Sequence, residues 1–169
     1  MTGFRKGPFS VAIIGGGIAG ITLTVALFKR GVQVHIYEQA SQFIEIGAGI
    51  AFSPNAKEAM RKCDPAVLQA YQRVATKSGA MSKANTWYDW VDSYNSYPEG
   101  SKQQFSIDRQ STADGCHRAN FLEELLKLIP PHVAHFNKHL ETITEPERGR
   151  PLVLAFQDGT NATADVGKY

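Results

Sequence analysis

The chain has 169 residues, 43% of them hydrophobic and 20% charged, enough apolar content for the core of one domain. A net charge of +2, from 18 Lys and Arg against 16 Asp and Glu, excludes the basic footprint of a nucleic-acid binder and an acidic tail. The two cysteines, Cys63 and Cys116, form neither a disulfide framework nor a Cys-x-x-Cys pair, which fits a reducing compartment.

The N-terminal basic residues Arg5 and Lys6 precede an apolar run over 9–14 that three glycines break at once. Such a run is neither a signal peptide nor a membrane span, so the chain reads as soluble and cytoplasmic. The sequon at Asn161 is then expected to stay unmodified.

Residues 10–14 are a short β-branched run ending in glycines, the pattern of a buried parallel strand. Residues 18–30 follow at helical spacing and Gly31 stops them, with a second strand over 32–37. Together, residues 10–38 make one βαβ unit. The stretch 45–52 is glycine-punctuated, a loop or irregular strand. Ser53-Pro54 and Asp64-Pro65 each start a helix with a cap and a proline. Lys29, Arg30, Arg61 and Lys62 are read as lying on solvated helix faces.

Residues 85–91 and 103–107 are expected to be aromatic-rich strands joined by a polar stretch. An amphipathic helix is predicted over 119–129, ended by Pro130-Pro131. Strands are then expected over 133–136, 140–144 and 152–156, the last turning at Asp158-Gly159 into 162–166.

The chemistry-bearing signal is Gly15-Gly16-Gly17-Ile18-Ala19-Gly20, set between a strand and a helix. Gly15 allows the tight turn. Gly17 lets a pyrophosphate approach the backbone, and Gly20 lets the helix pack on the sheet. The helix N-terminus presents N–H groups to phosphates. Glu38, eighteen residues beyond Gly20, stands where an acidic residue binds a ribose and repels a 2′-phosphate. This pattern points to the ADP half of a dinucleotide; NAD and FAD present the same ADP.

Four stretches carry a resemblance: Val-Ala-Ile-Ile-Gly-Gly-Gly-Ile-Ala-Gly (11–20), Ile-Tyr-Glu-Gln-Ala (36–40), Glu-Ile-Gly-Ala-Gly-Ile-Ala-Phe-Ser-Pro-Asn-Ala (45–56) and His-Arg-Ala-Asn-Phe-Leu-Glu-Glu-Leu (117–125). With them the chain resembles the FAD-dependent monooxygenases of the salicylate hydroxylase type, in particular the fungal branch acting on polyketide-derived phenols. Trp87-Tyr88-Asp89-Trp90-Val91-Asp92 also resembles that branch. The resemblance implies an α/β fold, a Rossmann-like FAD-binding lobe with part of a β-rich substrate lobe over about 85–107. It implies that Glu38 binds the adenosine ribose, that the loop with Gly49 and Ala51 lies along the cofactor, and that Arg118 reaches the FAD. On residue physics alone Arg118 is a surface arginine at a helix start. The implied reaction is hydroxylation of a small aromatic, phenolic substrate with FAD, NAD(P)H and O₂, in secondary metabolism.

Members of that family are longer. Residues 1–169 are therefore expected to be a single incomplete FAD-binding domain, holding the ADP end of the site without most of the flavin and substrate pockets. No catalytic acid–base pair is identified in it. Exposed edges and uncovered faces of the parallel sheet are expected, with an oligomer or partner to cover them. A second reading is a non-catalytic remnant that binds FAD or ADP weakly or acts through a partner. A third, an NAD-dependent dehydrogenase, is disfavoured by the 45–56 and 117–125 stretches. His132, His135 and His139 straddle a strand and turn and are not expected to converge on a metal. Ser111 to Asp114 offers no nucleophile elbow, and Trp87, Tyr88 and Trp90 are expected to serve core or interface packing.

Overall fold

The computed structural model describes residues 9–42, 48–77, 82, 85–95, 100, 102–108, 114–145 and 150–168. The residues 43–47 and 111–113 discussed above, and the side chain of Trp87, lie outside the described residues.

Strand β1 (Ser10–Ile14), helix α1 (Ile18–Phe28) and strand β2 (Gln33–Tyr37) form the βαβ unit. β1 and β2 run parallel in register from Ser10↔Gln33 to Ile14↔Tyr37. Gly31, at φ +75°, closes α1: its N–H donates to Phe28 O and that of Val32 to Leu27 O, the two bonds of a Schellman ending.

Next come β3 (Gly49–Ala51), α2 (Pro54–Cys63) and α3 (Pro65–Val74). Both helices start where the cap-plus-proline signals fall, but only one cap is made by its side chain. Asp64 accepts from Ala66 N at 2.8 Å, whereas the Ser53 hydroxyl turns to the Asn55 side chain. The exposed Lys29, Arg61 and Lys62 face carboxylates, and Arg30 does more. Its guanidinium donates to Ala26 O and Cys63 O, tying the ends of α1 and α2 together.

β4 (Thr76–Lys77), β5 (Thr86–Asp92), β6 (Lys102–Asp108), β7 (Asp114–His117) and α4 (Arg118–Leu126) follow. α4 is shorter at its C-terminal end than its periodicity suggests, because residues 127–129 tighten into turns before Pro130. A 3₁₀ turn (Pro131–Val133) takes the first part of the expected 133–136 strand and leaves β8 (Ala134–His135). β9 (Leu140–Thr144) and β10 (Leu152–Phe156) match expectation.

The strand expected over 162–166 is two strands, β11 (Asn161–Ala164) and β12 (Val166–Lys168). Asp165 makes the break: Ser10 donates to its carboxylate through both N–H and Oγ–H at 2.8 Å, and Asp165 N–H returns a bond to Ser10 O. This turns the chain alongside β1, where Val11 faces Val166 in parallel register.

The main sheet therefore runs β12-β1-β2-β8, all parallel. Its side chains alternate between two faces. Val11, Ile13, Val34 and Ile36 join one core with Ile21 and Val25 of α1, Val67 and Tyr71 of α3, and Phe121 and Leu125 of α4. Ala12 and Tyr37 face the other way and pack with Leu154, Phe156 and Ala164 of the antiparallel sheet β9-β10-β11. For its faces the expectation of an uncovered parallel sheet is thus corrected, while β12 and β8 stand as its two edges. Helices cover one face, the β9–β11 meander covers the other, and β12 pairs with the β1 edge.

β5 and β6 stand apart as a two-stranded antiparallel sheet. Trp90 and Phe105 stack across it with centroids 5.6 Å apart, and Tyr88, Trp90, Phe105 and Ile107 are exposed. For Tyr88 and Trp90 this corrects the core half of the packing expectation. None of the described helices is long and apolar enough to cross a membrane.

Candidate functional site

The three glycines of the β1–α1 turn have separable reasons. Gly15 adopts φ +100°, a backbone that disfavours any side chain, while a Cβ there would meet nothing within 4 Å. Gly20 is fixed by space: a Cβ would lie 2.1 Å from Gly15 O and 3.4 Å from Ile13 Cγ2. Gly17 is the N-cap of α1, and a Cβ there would meet only Arg118 Nη2, at 3.9 Å. Open space with a guanidinium at its edge, beside helix-start N–H groups, suits a phosphate.

Glu38 joins this turn directly. Its Oε2 accepts from Gly16 N at 2.6 Å and its Oε1 from Ala40 N at 2.8 Å. Gly15 N–H donates to Tyr37 O at 2.9 Å, so the glycine turn and the end of β2 are locked together. A cavity of about 370 Å³ opens there, lined by Ile14, Gly15, Glu38, Lys138 and His139 among others. Motif spacing identifies Glu38 but not its amide donors or Lys138; Gly16 and Lys138 meet it only once the chain folds back, whereas Ala40 lies two residues on.

Arg118 opens α4, and its N–H donates to Ala48 O at 3.0 Å. Just before it, β7 pairs antiparallel with β3, placing Gly49 opposite His117 and Ala51 opposite Gly115. Gly115 sits close to β3: a Cβ there would lie 3.1 Å from Ile50 O, a tight contact. The structure thus gathers Gly15, Gly17, Gly20, Glu38 and Arg118 around one turn, and connects Gly49 and Ala51 to it through β7. Gly49 and Ala51 also line a second cavity, of about 500 Å³, with Cys116, His117 and Asn120.

The start of β7 is pinned by a polar cluster. Asp114 Oδ1 receives Lys57 Nζ at 2.5 Å and the Tyr71 hydroxyl at 3.1 Å, and that hydroxyl also reaches Asp114 O at 3.0 Å. Tyr71 is fully buried, its ring edge-on to Phe52 and Phe121. Burial, and then the Asp114 carboxylate, push the Tyr71 phenol well above its ordinary range, so it stays a donor. Burial also raises the Cys116 thiol. The cluster holds one end of a strand whose other end delivers Arg118.

The histidines do something the spacing did not foresee. His135 Nε2 lies 3.0 Å from His35 Nδ1, and the His135 ring stacks on Tyr37 at 4.9 Å. Desolvation, and secondarily neighbouring positive charge, lower both His35 and His135 below the ordinary 6.5. Among the described residues no three His, Cys, Asp or Glu converge as metal ligands would.

Residues 13–44 match the model of the NAD(P)-binding Rossmann-like domain. The chain is 46% identical over 162 residues to an FAD-dependent monooxygenase of Aspergillus niger (azaH), covering 91% of this chain and 36% of that protein. It is 37% identical to a salicylate hydroxylase of Sarocladium schorii, over 94% of this chain and 34% of the relative. A solved salicylate hydroxylase–substrate complex superposes with a TM-score of 0.73 at 30% identity, over 96% of this chain and 36% of the other. The chain spans about a third of the length of the curated relatives it matches.

Proposed function

We propose that this chain, a relative by sequence and fold of the FAD-dependent monooxygenases of the salicylate hydroxylase type, grips the ADP half of FAD for the hydroxylation of a small aromatic substrate. The observation that carries the reading is the placement of Arg118 Nη2 against Gly17, across 101 positions of sequence, at the open start of α1. A turn without side chains, helix-start N–H groups and a guanidinium are the parts a pyrophosphate needs. Glu38, beside the cavity at the end of β2, supplies acceptors for ribose hydroxyls.

The residues fit the cofactor. Gly17 and Arg118 would hold the pyrophosphate, Glu38 the adenosine ribose, and the β3 residues Gly49 and Ala51 would lie toward the flavin end. Bound there, FAD would supply the redox chemistry that uses NAD(P)H and O₂ to oxidise an electron-rich ring. This chain's own residues bind and orient. The Asp114 cluster holds β7, β7 sets Arg118, and the β1–β2 turn fixes Glu38. The hairpin β5–β6 belongs, in this reading, to a substrate lobe.

The test is the visible absorbance of the purified chain after reconstitution with FAD, with Arg118→Ala and Glu38→Ala beside it. Bound flavin is expected, with each substitution weakening it about 10- to 100-fold, as for loss of a charge-assisted contact. NAD(P)H oxidation with and without phenols then reads catalysis. A colourless protein that FAD cannot reconstitute overturns the reading.

A further inference from the structure

The cavity at the end of β2 contains a second charged residue whose charge is directed elsewhere. Lys138 lines it with Glu38, and their backbones touch, Lys138 N–H donating to Glu38 O at 2.9 Å. Asn137, at φ +55°, makes the turn that brings Lys138 there. The ammonium is held by Asp158 Oδ2 at 2.5 Å and Thr160 Oγ1 at 2.8 Å, and it sits 5.7 Å from the Phe156 ring centroid. None of these three partners lines the cavity.

Asp158 is built to keep that hold. Its Oδ1 accepts from Thr160 N at 3.0 Å and from Thr160 Oγ1 at 2.6 Å, leaving Oδ2 for the lysine. Gly159, at φ +80°, completes the tight turn between β10 and β11 that presents both residues. The same contacts, the Lys138 ammonium first, hold the Asp158 carboxyl at about 2, so it is ionised throughout the neutral range.

We propose that Asp158 is a specificity-determining residue. By holding the Lys138 ammonium on partners outside the cavity, it leaves the Glu38 carboxylate to set the charge met by the adenosine ribose, so that an ADP unit carrying a 2′-phosphate is rejected. The consequence rests on the FAD reading above. NADPH and FAD share the ADP unit, and a reduced coenzyme that entered the flavin's place would block it. A freed ammonium beside Glu38 would neutralise the repulsion that keeps a 2′-phosphate out. Sequence spacing alone assigns that discrimination to Glu38; the structure adds the restraint on the neighbouring cation.

Calorimetric titration of the chain with 5′-ADP and with 2′,5′-ADP tests it, on the wild type, Asp158→Asn, Lys138→Met and the double variant. The wild type is expected to favour 5′-ADP. Asp158→Asn should shift the affinity ratio toward 2′,5′-ADP by about fivefold, the scale of one partly exposed charge. Lys138→Met, and the double variant, should restore the wild-type ratio or exceed it. Circular dichroism of each variant establishes that the β10–β11 turn has not collapsed. An unchanged ratio in a folded Asp158→Asn that still binds 5′-ADP overturns this inference and leaves the ADP site standing. A shift that persists in the double variant also overturns it, because the lysine is then not the cause. Failure of every form to bind 5′-ADP overturns the site itself, and the inference with it.

Discussion

Phe121 and Trp90 each face another aromatic ring at nearly the same distance, 5.5 Å to Tyr71 and 5.6 Å to Phe105. Phe121 is fully buried, whereas Trp90 is 57% exposed. Backbone pairing does not separate the two regions, since β5 and β6 are seven residues each and pair along their length, with two register shifts. Layers do. Around Phe121, α1, α3 and α4 close on a parallel sheet whose other face is covered by β9–β11. The hairpin has two strands and no covering layer among the described residues. Ring stacking and hydrogen bonds arrange a surface, and a third element makes it a core.

The sharpest break in this contrast is Gly20→Ala. The added methyl meets the Gly15 backbone carbonyl at 2.1 Å, with the Ile13 side chain 3.4 Å away. We expect a loss on the order of 4 kcal/mol or more, read as a collapse of the urea midpoint. Gly49→Ala, with open space around it, serves as the control and should keep the midpoint. A folded Gly20→Ala of near-native stability would mean that the β1–α1 contact is looser than described.

A matched pair of truncations compares the regions directly. Phe121→Ala should cost about 3–5 kcal/mol, as for an aromatic removed from a closed core. Trp90→Ala should stay within about 0.5 kcal/mol, as for an exposed site. Equal losses in urea denaturation would show that the hairpin face is covered in solution, and sedimentation would then identify a second copy as the cover.

The smallest effect comes from acid and acts on the sheet alone. His35 and His135 titrate below their unfolded value of 6.5, so the unfolded chain binds more protons in that window. Stability is full above about pH 7 and falls as pH drops through 6.5 toward the lowered folded values. Asp158 does not interfere, because its contribution is lost only below its unfolded 3.8. Urea midpoints at pH 7.5, 6 and 5 should fall in that order, and less so in His135→Gln. A flat profile would mean that the pair is not desolvated.

What could be read beforehand was local. Gly15, Gly17, Gly20 and Glu38 announce themselves because a turn, a helix start and a strand end lie within thirty residues of each other. The cap-plus-proline starts of α2 and α3 are similarly short-range signals. The contacts that complete the site are long-range: Arg118 against Gly17, Lys138 beside Glu38, and His135 on His35 each join residues about a hundred apart. No periodicity encodes such pairings, and for Arg118 only the family resemblance pointed the way. The break at Asp165 was hidden for another reason. Its partner is Ser10, and an aspartate between Ala164 and Val166 looks like any polar strand residue until that partner is in place.

The pairing of β12 with β1 bears on the order in which the molecule assembles. β1, α1 and β2 can form from neighbouring sequence, but Val166 reaches Val11 only after 155 residues of chain have been laid down. Contacts of such separation form late and slow the folding of the whole. During synthesis one edge of β1 is a row of unsatisfied amides and carbonyls until β12 has been made. Any extended segment that docks there first competes with the native strand. The twin bonds from Ser10 to Asp165 then act as a selector, because they reward only the segment that brings a carboxylate to the start of β1.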